Sequence, residues 1–397
     1  MSSLRTQENT GLATLFPLVE PGEPLSAGEM ERYSRQIRLP HVNVIGQRRI
    51  KNARVLVIGA GGLGSPVLLY LAAAGIGTIG VIDDDTIDIS NLQRQVIHTS
   101  ANIGRSKVTS AQEAIHAINP DLNVIEHQFR LTKENALQII NCYDLVVDGS
   151  DNFATRYLVS DATCLLDKPS IWGSLLQFGA QVSVFWSTHG PTYRDLYPEP
   201  PEPGSIPSCG EAGVLGALCG IAGALMAAEA IKIITGIGAP LIGRVAQFDA
   251  LHTRWQEFQL MKDVDAPAIT ALVDYEEFCG ATNADEIKVA QISSQELRAL
   301  LSQRDTDSTD FEFLDVRESW EHEASPIPGA RLVPLGALTK FPDLAAPEKD
   351  VMIILHCQSG FRSDRAARIL MASGYTNVRS LSGGADAWKE EERMNLA

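Results

Sequence analysis

An apolar run that leads into a glycine-rich turn, Val55-Leu-Val-Ile-Gly-Ala-Gly-Gly-Leu-Gly64, constrains the fold of this chain more than any other segment. Gly59, Gly61 and Gly64 form a GxGxxG pattern, Gly62 lies inside it, and a glycine-terminated helix is predicted directly behind it. A strand, such a turn and a helix N-terminus together present free backbone N–H groups to a phosphate. The segment therefore predicts a nucleotide site without identifying the nucleotide.

Alternation of apolar strands with helical segments continues from residue 54 to residue 174. This rhythm predicts a Rossmann-like, doubly wound, mostly parallel sheet that is covered by helices on both faces. The predicted strands are 54–58, 78–82, 123–127, 143–148 and 170–174, followed by 180–186, 241–249 and 253–260. The predicted helices are 25–37, 62–74, 106–118, 132–140, 153–166 and 214–235.

The chain is predicted to divide into a flexible tail at 1–27, a nucleotide-binding domain at 28–262, a linker at 263–288 and a second domain at 289–397. The second domain is smaller, and its pattern again predicts an α/β fold. Its predicted elements are a helix at 294–301, strands at 311–316 and 351–356, and a helix at 363–372.

Composition excludes several classes of protein. The 397 residues carry a formal net charge of −16, which disfavours nucleic acid and anionic membranes as partners. The six cysteines include no C-x-x-C pair, so spacing predicts no four-cysteine zinc site. The N-terminus lacks a secretory apolar region, which predicts a cytoplasmic protein with reduced thiols. The longest apolar run, 214–228, is expected to be a buried helix rather than a membrane span.

Charged residues cluster where the predicted strands end. Asp83 ends an apolar run about 20 residues beyond the turn, where a carboxylate can bind ribose hydroxyls. Arg94, Lys107 and Asp151 follow. Each residue also has a simpler interpretation. Arg94 could be a surface loop residue, Lys107 a solvated helix charge, and Asp151 a helix cap. Together they suit a triphosphate with Mg²⁺, which a hydride-transferring enzyme does not need.

Ordered motifs make the N-terminal two thirds of the chain resemble the MoeB/ThiF family, relatives of ubiquitin-activating enzymes. The match covers roughly residues 28–262. The motifs are Arg32-Tyr-Ser-Arg-Gln-Ile37, Gly59-Ala-Gly-Gly-Leu-Gly64, Asp83-Asp-Asp-Thr86, Asn91-Leu-Gln-Arg-Gln95, Asp148-Gly-Ser-Asp-Asn152 and Ser208-Cys-Gly-Glu-Ala-Gly213.

The C-terminal third resembles a rhodanese domain through Leu314-Asp-Val-Arg317, Cys357-Gln-Ser-Gly-Phe-Arg362 and Gly383-Gly-Ala-Asp-Ala-Trp388. The whole chain, with its Tyr193-Arg-Asp-Leu-Tyr-Pro198 loop, is similar to MoeZ-type proteins, in which a MoeB-like domain is fused to a rhodanese domain.

The resemblance implies that ATP adenylates the C-terminal glycine of a ubiquitin-like sulfur carrier ending in Gly-Gly. It implies that Asp83 binds the ribose, that Arg94 and Lys107 stabilise charge on the triphosphate, and that Asp151 holds Mg²⁺. Arg35 would reach the γ-phosphate in the partner subunit of a homodimer. The remaining nucleotide-binding residues that the motifs imply are Gly59, Gly61, Gly62, Gly64, Asp85, Asn91, Gln95 and Asn152.

Cys357 follows a predicted strand and opens a loop that leads into a predicted helix. Loop N–H groups and the helix dipole are expected to stabilise a thiolate or a persulfide there. A small buried hydrophobic residue is one alternative. A phosphatase loop is another, but only four residues separate Cys357 from Arg362. That spacing is shorter than in the tyrosine phosphatases and favours sulfur chemistry, with a cysteine desulfurase, thiosulfate or another persulfide as donor.

Two further expectations follow from the resemblance. Cys209 is a candidate second nucleophile that would attack an acyl-disulfide, although a structural role is equally open. Many MoeB-like proteins bind structural zinc through two C-x-x-C pairs, and this chain has Thr192 and Asp195, then Ala266 and Ile269, at those places. We therefore expect no zinc, and we expect packing or dimer contacts to hold the 188–207 loop.

Two other functions stay open at this point. An NAD-dependent oxidoreductase fused to a rhodanese would use the glycine turn and Asp83 but would leave Arg35, Arg94, Lys107 and Asp151 without a task. A non-catalytic protein that docks a carrier is the other. The sequence does not identify the carrier, which could serve molybdopterin, thiamine, cysteine, tRNA-thiolation or natural-product synthesis.

Overall fold

The computed structural model describes residues 16–201, 213–279, 289–304 and 311–395. The chain forms two compact units, Met1–Thr282 and Asn283–Ala397, each with its own core. Cys209 and the first part of the predicted tail lie outside the described residues.

The larger unit is built on one eight-stranded sheet. Its strands are β1 Arg54–Ile58, β2 Thr78–Ile82, β3 Asn123–His127, β4 Leu145–Asp148, β5 Ser170–Leu176, β6 Gly179–Phe185, β7 Arg244–Asp249 and β8 Arg254–Gln259. Its helices are α1 Ala27–Arg32, α2 Ser34–Ile37, α3 Asn43–Asn52, α4 Gly64–Ala74, α5 Lys107–Ile118, α6 Ala136–Asn141, α7 Phe153–Leu165, α8 Tyr193–Leu196, α9 Gly216–Thr235 and α10 Tyr275–Phe278.

The strand order is β3-β2-β1-β4-β5-β6-β7-β8, with β1 to β5 parallel and β5 to β8 antiparallel. The predicted Rossmann-like, mostly parallel sheet is therefore confirmed. The chain moves outward from β1 to β3 and then returns to the other side of β1 at β4. Ligands bind at such a switch point, outside the carboxyl ends of the strands.

Successive residues of β1 face opposite sides of the sheet, and each side has its own core. Val55 and Val57 pack with α4, α5 and α9 on one face. Leu56 and Ile58 pack with α6 and α7 on the other face. The unbroken apolar run of β1, without polar alternation, is the pattern of a strand buried on both sides.

Helix α9 is long and apolar enough to span a membrane by length and composition alone. It lies against α4, β5 and β6, and 56% of its most apolar window is buried inside the protein. This helix covers one face of the sheet, as the core helix of a globular unit does.

Element boundaries differ from the predictions where a side chain competes with the helix. The helix predicted at 132–140 begins only at Ala136, because the Asn135 side chain accepts a hydrogen bond from the Thr132 N–H and forms a turn. The single helix predicted at 25–37 is interrupted at Tyr33, whose buried hydroxyl accepts a hydrogen bond from Asn119.

Part of the predicted linker packs onto the larger unit. Tyr275, the first residue of α10, is buried, and its hydroxyl donates to Asp161 Oδ2 at 2.6 Å. Arg194 of α8 donates two hydrogen bonds of 2.8 Å to the same carboxylate. The described part of the 188–207 loop, residues 188–201, is thus tied to α7 through Asp161, whose side chain is only 3% exposed.

Hydrogen bonds also connect Thr192 and Asp195, the first pair of positions considered for zinc in the sequence analysis. Asp195 accepts hydrogen bonds from the Thr192 N–H at 2.6 Å and the Thr192 hydroxyl at 2.9 Å. Its other oxygen accepts one from the Asp263 N–H at 2.7 Å. The expectation that this chain binds no zinc stays a prediction.

Replacing Arg194 with Met should destabilise the protein by about 3 kcal/mol, because the buried Asp161 carboxylate would lose its cation. The urea midpoint of the unfolding transition measures the effect. Arg105→Met is the matched control, since Arg105 and its partner Glu113 are both exposed and such pairs contribute little. Equal midpoints for the two variants would contradict the role given to Asp161.

The smaller unit contains a five-stranded sheet with the order β11-β10-β12-β13-β9, in which all pairs are parallel. The strands are β9 Ala290–Ile292, β10 Phe311–Asp315, β11 Arg331–Leu332, β12 Met352–His356 and β13 Val378–Leu381. The helices are α11 Ser294–Arg304, α12 Ser319–Ala324, α13 Leu335–Lys340, α14 Phe361–Ala372 and α15 Gly384–Asn395. The predicted α/β character of this unit is confirmed.

Candidate active site

A cavity of about 330 Å³ opens at the carboxyl ends of β1, β2 and β4. Many of the predicted nucleotide-binding residues line it, which gives the cavity both acidic and basic walls. These residues are Gly59, Gly61, Gly62, Asp83, Asp85, Arg94, Gln95, Lys107, Asp151 and Asn152.

Two glycines of the turn are required by its geometry. Gly59 has a φ of +85°, a left-handed conformation that residues with a Cβ adopt at a cost. A Cβ on Gly64 would lie 1.8 Å from the Gly59 carbonyl oxygen, so no larger residue fits there. The close approach lets α4 start directly behind β1 and direct its N-terminus toward the cavity.

Asp83 is held rigidly at the end of β2. Its carboxylate accepts hydrogen bonds from the Ala60 N–H at 2.8 Å and the Asp85 N–H at 2.9 Å. Lys107 Nζ lies 2.6 Å from Asp85 Oδ2 and 4.0 Å from Asp83 Oδ1. Burial raises the pKa of Asp83, and the Lys107 charge and the two N–H groups oppose that rise.

Lys107 is the most enclosed cation of the cavity, with a side chain only 8% exposed. Lys107 is therefore not the solvated helix charge that was the alternative interpretation of its sequence position. His98 supports the same wall: its ring nitrogens contact the Ala60 carbonyl at 3.0 Å and the Ser110 hydroxyl at 2.9 Å. Burial lowers the pKa of His98 and favours the neutral ring.

Asp151 and Arg94 line the cavity with polar groups that are available to a ligand. Asp151 is exposed, and none of the described side chains pairs with its carboxylate. Arg94 donates one hydrogen bond, from Nη1 to the Ser90 carbonyl at 3.2 Å, and its other N–H groups remain available among the described residues. The cap of α7 is Asn152, which accepts from the Thr155 N–H at 2.9 Å, so Asp151 is not needed as a cap.

Other predicted residues do not line this cavity. Arg35 lies exposed on α2, away from its own chain's cavity. Asn91 instead caps a short turn and accepts from the Asp88 N–H at 3.2 Å. Gly64 lies behind the turn and serves the close approach of α4.

Sequence reasoning missed two arginines of the cavity. Arg130 follows the end of β3, and Arg156 lies in the first turn of α7, where it donates to the Ser150 carbonyl. Both come soon after a strand that ends at the ligand edge of the sheet, and this position is a signal that could have identified them. Cys219 of α9 also borders the cavity.

The second candidate site is the loop after β12. Cys357 is buried, with its Sγ 3.2 Å from the Gly360 N–H and 3.6 Å from the Ser363 hydroxyl. Gly360 has a φ of +104° and leads into α14, whose N-terminus adds its dipole. Such donors stabilise negative charge on sulfur.

The Gly383-Gly-Ala-Asp-Ala-Trp388 motif supports this loop from the start of α15. The Ala385 N–H donates to the Cys357 carbonyl at 2.8 Å, and the Asp386 N–H donates to the Gln358 carbonyl at 3.0 Å. A Cβ on Gly384 would lie 2.5 Å from the Cys357 carbonyl oxygen. The glycines therefore allow α15 to approach the loop closely.

Arg362, the second residue of α14, pairs with a carboxylate rather than with sulfur. Its Nη1 lies 2.7 Å from Glu321 Oε2, and its Nη2 lies 2.6 Å from Glu321 Oε1. Glu321 belongs to α12, 41 positions earlier in the chain. Sequence reasoning missed this residue, since the motif gives no sign of what faces the arginine.

A buried polar cluster lies beneath the loop. Asp315 accepts from Arg317 at 2.7 Å and lies 2.9 Å from the His322 Nδ1 and 3.5 Å from the His356 Nε2. Burial alone would raise the pKa of Asp315, but the hydrogen bonds from Arg317 and His322 and the nearby His356 outweigh it and hold the pKa at about 2. Burial lowers the pKa of His356 to about 4.

His356 should make the smaller unit less stable in acid. The unfolded imidazole binds a proton below about pH 6.5, whereas the buried one does so only near pH 4, so stability falls as the pH drops through this window. The expected slope is about 1.4 kcal/mol per pH unit for one proton. Native-state hydrogen exchange of β12 measures it. The His356→Gln variant should lose this part of the slope, and an unchanged slope, equal to that of the exposed control His41→Gln, would contradict the assignment.

Solved structures with the same fold include the crystal structures of E. coli MccB. The structure with MccA-N7isoASN has a TM-score of 0.55 and 21% sequence identity, and covers 62% of this chain and 75% of that chain. The structure of MccB with ATP has a TM-score of 0.52 and 22% identity, and covers 60% and 74%. At these identities the likeness shows the fold alone.

Curated relatives are much more similar in sequence. The probable adenylyltransferase/sulfurtransferase MoeZ of Mycobacterium tuberculosis is 48% identical over 96% of this chain and 98% of its own length. The sulfur carrier protein adenylyltransferase of Thermus thermophilus is 50% identical over 64% of this chain and 97% of its own length. The adenylyltransferase and sulfurtransferase MOCS3 of Anopheles gambiae is 40% identical over 92% and 87%.

Family comparison agrees with these relatives. Residues 33–268 match the ThiF family, and residues 293–391 match the rhodanese-like domain. The first match includes the residues that line the cavity at the carboxyl ends of β1, β2 and β4, and the second match includes the Cys357 loop. The chain therefore belongs to the ThiF family and has a rhodanese-like domain C-terminal to the ThiF domain.

Proposed function

We propose that this protein is an adenylyltransferase and sulfurtransferase. It uses ATP to adenylate the C-terminal glycine of a ubiquitin-like sulfur carrier, and it then transfers persulfide sulfur to give a thiocarboxylate. One observation carries the proposal: a single chain holds both a cavity with enclosed cations and a buried cysteine whose sulfur accepts from the Gly360 N–H and the Ser363 hydroxyl. The names of the relatives support the same pair of activities.

In the adenylation step, the carrier's terminal carboxylate attacks the α-phosphorus of ATP, and pyrophosphate leaves. A carboxylate is a poor electrophile until it becomes an acyl-adenylate. Lys107 and Arg94 stabilise the charge that develops on the triphosphate, and preorganised charge of this kind is commonly the largest catalytic term. We assign Asp83, at the end of β2, to the ribose hydroxyls. Arg35 is proposed to act in the cavity of a partner subunit.

Mg²⁺ suits the acidic wall of this cavity. It prefers one or two carboxylates together with phosphate oxygens. Asp151 offers an exposed carboxylate with no cation among the described residues, whereas Asp85 is already paired with Lys107. We assign Asp151 to the ion, which would neutralise phosphate charge when bound.

In the sulfur step, the terminal sulfur of a Cys357 persulfide attacks the carbonyl carbon of the acyl-adenylate. The bond from that carbon to the AMP phosphate oxygen breaks, and AMP leaves with the electron pair. The carrier is then joined to Cys357 through an acyl-disulfide. A thiolate attacks the Cys357 sulfur and forms a new disulfide with it, while the S–S bond to the carrier breaks and the thiocarboxylate leaves with the electron pair. Cys209 is the proposed thiol for this cleavage, although it lies outside the described residues.

We further propose a cytoplasmic homodimer with domain limits of 28–262 and 289–397 around the 263–288 linker. The two compact units and the ranges matched by the two families support a division into two domains within residues 268–293, and Tyr275 shows that part of the proposed linker packs onto the larger unit. Fusing the domains raises the local concentration of Cys357 around the acyl-adenylate. Molybdopterin and thiamine synthesis are the proposed pathways, and nucleic acid and membranes are not proposed as partners.

Carrier-dependent exchange of pyrophosphate into ATP tests the adenylation half. Exchange that appears only when a Gly-Gly-ended carrier is added supports the proposal. Saturable binding of NAD(H) without any exchange would instead support an oxidoreductase, because that class needs only the glycine turn and Asp83. Tight carrier binding without exchange would support the docking protein.

A further inference from the structure

His98 is a buried residue beside the nucleotide cavity that the proposed reaction does not use. It is only 5% exposed and is not among the residues that line the cavity. The imidazole Nε2 lies 3.0 Å from the carbonyl oxygen of Ala60 in the glycine turn, and Nδ1 lies 2.9 Å from the hydroxyl of Ser110 in α5. The ring therefore connects two elements that contribute to the cavity wall through Gly61 and Lys107.

The two contacts fix the tautomer of the ring. A carbonyl oxygen can only accept a hydrogen bond, so Nε2 must carry a proton and donate it to Ala60. Burial lowers the pKa of His98, the hydrogen bond to Ala60 opposes this, and the nearby Lys107 charge lowers the pKa further. The ring is therefore neutral at physiological pH, and Nδ1 accepts a hydrogen bond from the Ser110 hydroxyl.

The Ala60 carbonyl determines where the next N–H of the turn points. Ala60 and Gly61 share a trans peptide, in which the C=O and N–H groups point in opposite directions. His98 is the only described residue that donates a hydrogen bond to this carbonyl, and by holding it His98 also fixes the direction of the Gly61 N–H. That N–H donates to no described residue, and Gly61 lines the cavity. It is thus available to a ligand.

The glycines on both sides of Ala60 make such support necessary, because residues without a Cβ leave the backbone many conformations. The Ala60 N–H belongs to the preceding peptide and is held by Asp83 Oδ2 at 2.8 Å. His98 supplies the second fixed point, and Ser110 connects it to α5. With both points fixed, the turn presents its N–H group to an anion without further rearrangement.

We propose that His98 is a positioning residue for adenylation: as the neutral Nε2–H tautomer it holds the Ala60–Gly61 peptide so that the Gly61 N–H donates to a phosphate of ATP. This inference rests on the proposed use of ATP in the cavity. Loss of His98 should weaken the contacts to phosphate and spare those to the nucleoside. The reason is that Asp83, assigned to the ribose, keeps its own hydrogen bonds from the Ala60 and Asp85 N–H groups.

Two substitutions separate the roles of the two ring nitrogens. In His98→Gln the side-chain amide nitrogen takes the place of Nε2 and donates to Ala60. In His98→Asn the shorter amide takes the place of Nδ1 and reaches only Ser110. Carrier-dependent pyrophosphate exchange gives the KM for ATP, and inhibition of this exchange by adenosine gives the affinity for a nucleoside without phosphates.

His98→Asn should raise the KM for ATP about tenfold, the scale of one lost hydrogen bond to a charged group, and leave the inhibition constant of adenosine unchanged. His98→Gln should stay within about threefold of the wild type for both ligands, because it keeps the donor to Ala60. His41→Asn is the matched control, since His41 is exposed and does not line the cavity, and it should change neither constant.

The inference is overturned if His98→Asn does not raise the KM for ATP, if it weakens ATP and adenosine equally, or if His98→Gln is impaired as strongly as His98→Asn. Each of these results would leave the proposed function standing. Absence of carrier-dependent exchange in the wild type would instead contradict the proposed function.

A second measurement applies even if His98→Asn fails to fold. Nitrogen NMR of the histidine side chains of the wild type, with the His98 signals assigned by their absence in His98→Gln, reports the tautomer directly. A neutral ring with its proton on Nε2 at neutral pH is the expected result. A proton on Nδ1, alone or together with one on Nε2, would overturn the inference.

Discussion

Cys357→Ser should abolish thiocarboxylate formation while leaving carrier-dependent pyrophosphate exchange intact. A serine hydroxyl cannot hold a sulfane sulfur, so the loss should be at least about a thousandfold. The smaller oxygen fits the buried site, and the Gly360 N–H keeps an acceptor. The fold of the smaller unit should therefore survive.

Exchange kinetics and carrier mass measure the two halves on the same sample. Cys142→Ser is the matched control, because Cys142 is exposed and lies away from both sites. Thiocarboxylate production by the Cys357→Ser variant at a rate near that of the control would remove Cys357 from the mechanism.

Lys107→Met should have the opposite profile, with adenylation lowered about 100- to 1000-fold and persulfidation of Cys357 unchanged. Lys107 is the most enclosed cation of the nucleotide cavity, and losing a preorganised charge at developing phosphate charge has effects of this size. Methionine keeps most of the apolar length of the side chain but leaves Asp85 and Asp83 facing the triphosphate without their cation.

Lys51→Met serves as its control, because Lys51 pairs with Glu29 outside the cavity. The two rates are those of pyrophosphate exchange and of sulfur loading by the desulfurase. Normal exchange in Lys107→Met would mean that Lys107 only neutralises Asp85 and does not serve ATP.

Local patterns predicted the nucleotide half of the chain well. The apolar run before Gly59 and the spacing to Asp83 involve residues that are close in sequence. The strand, the turn and the carboxylate could therefore be predicted from the sequence alone. Arg130 was missed, because its position after a predicted strand is only a weak signal until the sheet order is known, and that order places β3 beside β2 and brings Arg130 to the cavity. The order of the strands in the folded sheet cannot be derived from hydrophobic periodicity alone.

The smaller unit shows the other limit. Strands β9 and β11 have three and two residues, which are too few to show a hydrophobic periodicity in the sequence. Parallel pairing with β13 and β10 defines them as strands. The Glu321–Arg362 pair spans 41 positions of sequence, and only the fold brings its charges together. The motif predicted the loop around Cys357 but not the Glu321 carboxylate that pairs with Arg362.

The central claim is tested most directly by the intact mass of Gly-Gly-ended carriers after incubation with this protein, Mg-ATP and a charged cysteine desulfurase. We predict a sulfur-for-oxygen mass gain on at least one carrier, and no gain with Cys357→Ser. No gain on any carrier under conditions in which ATP still binds, or a gain that persists in Cys357→Ser, would contradict the account.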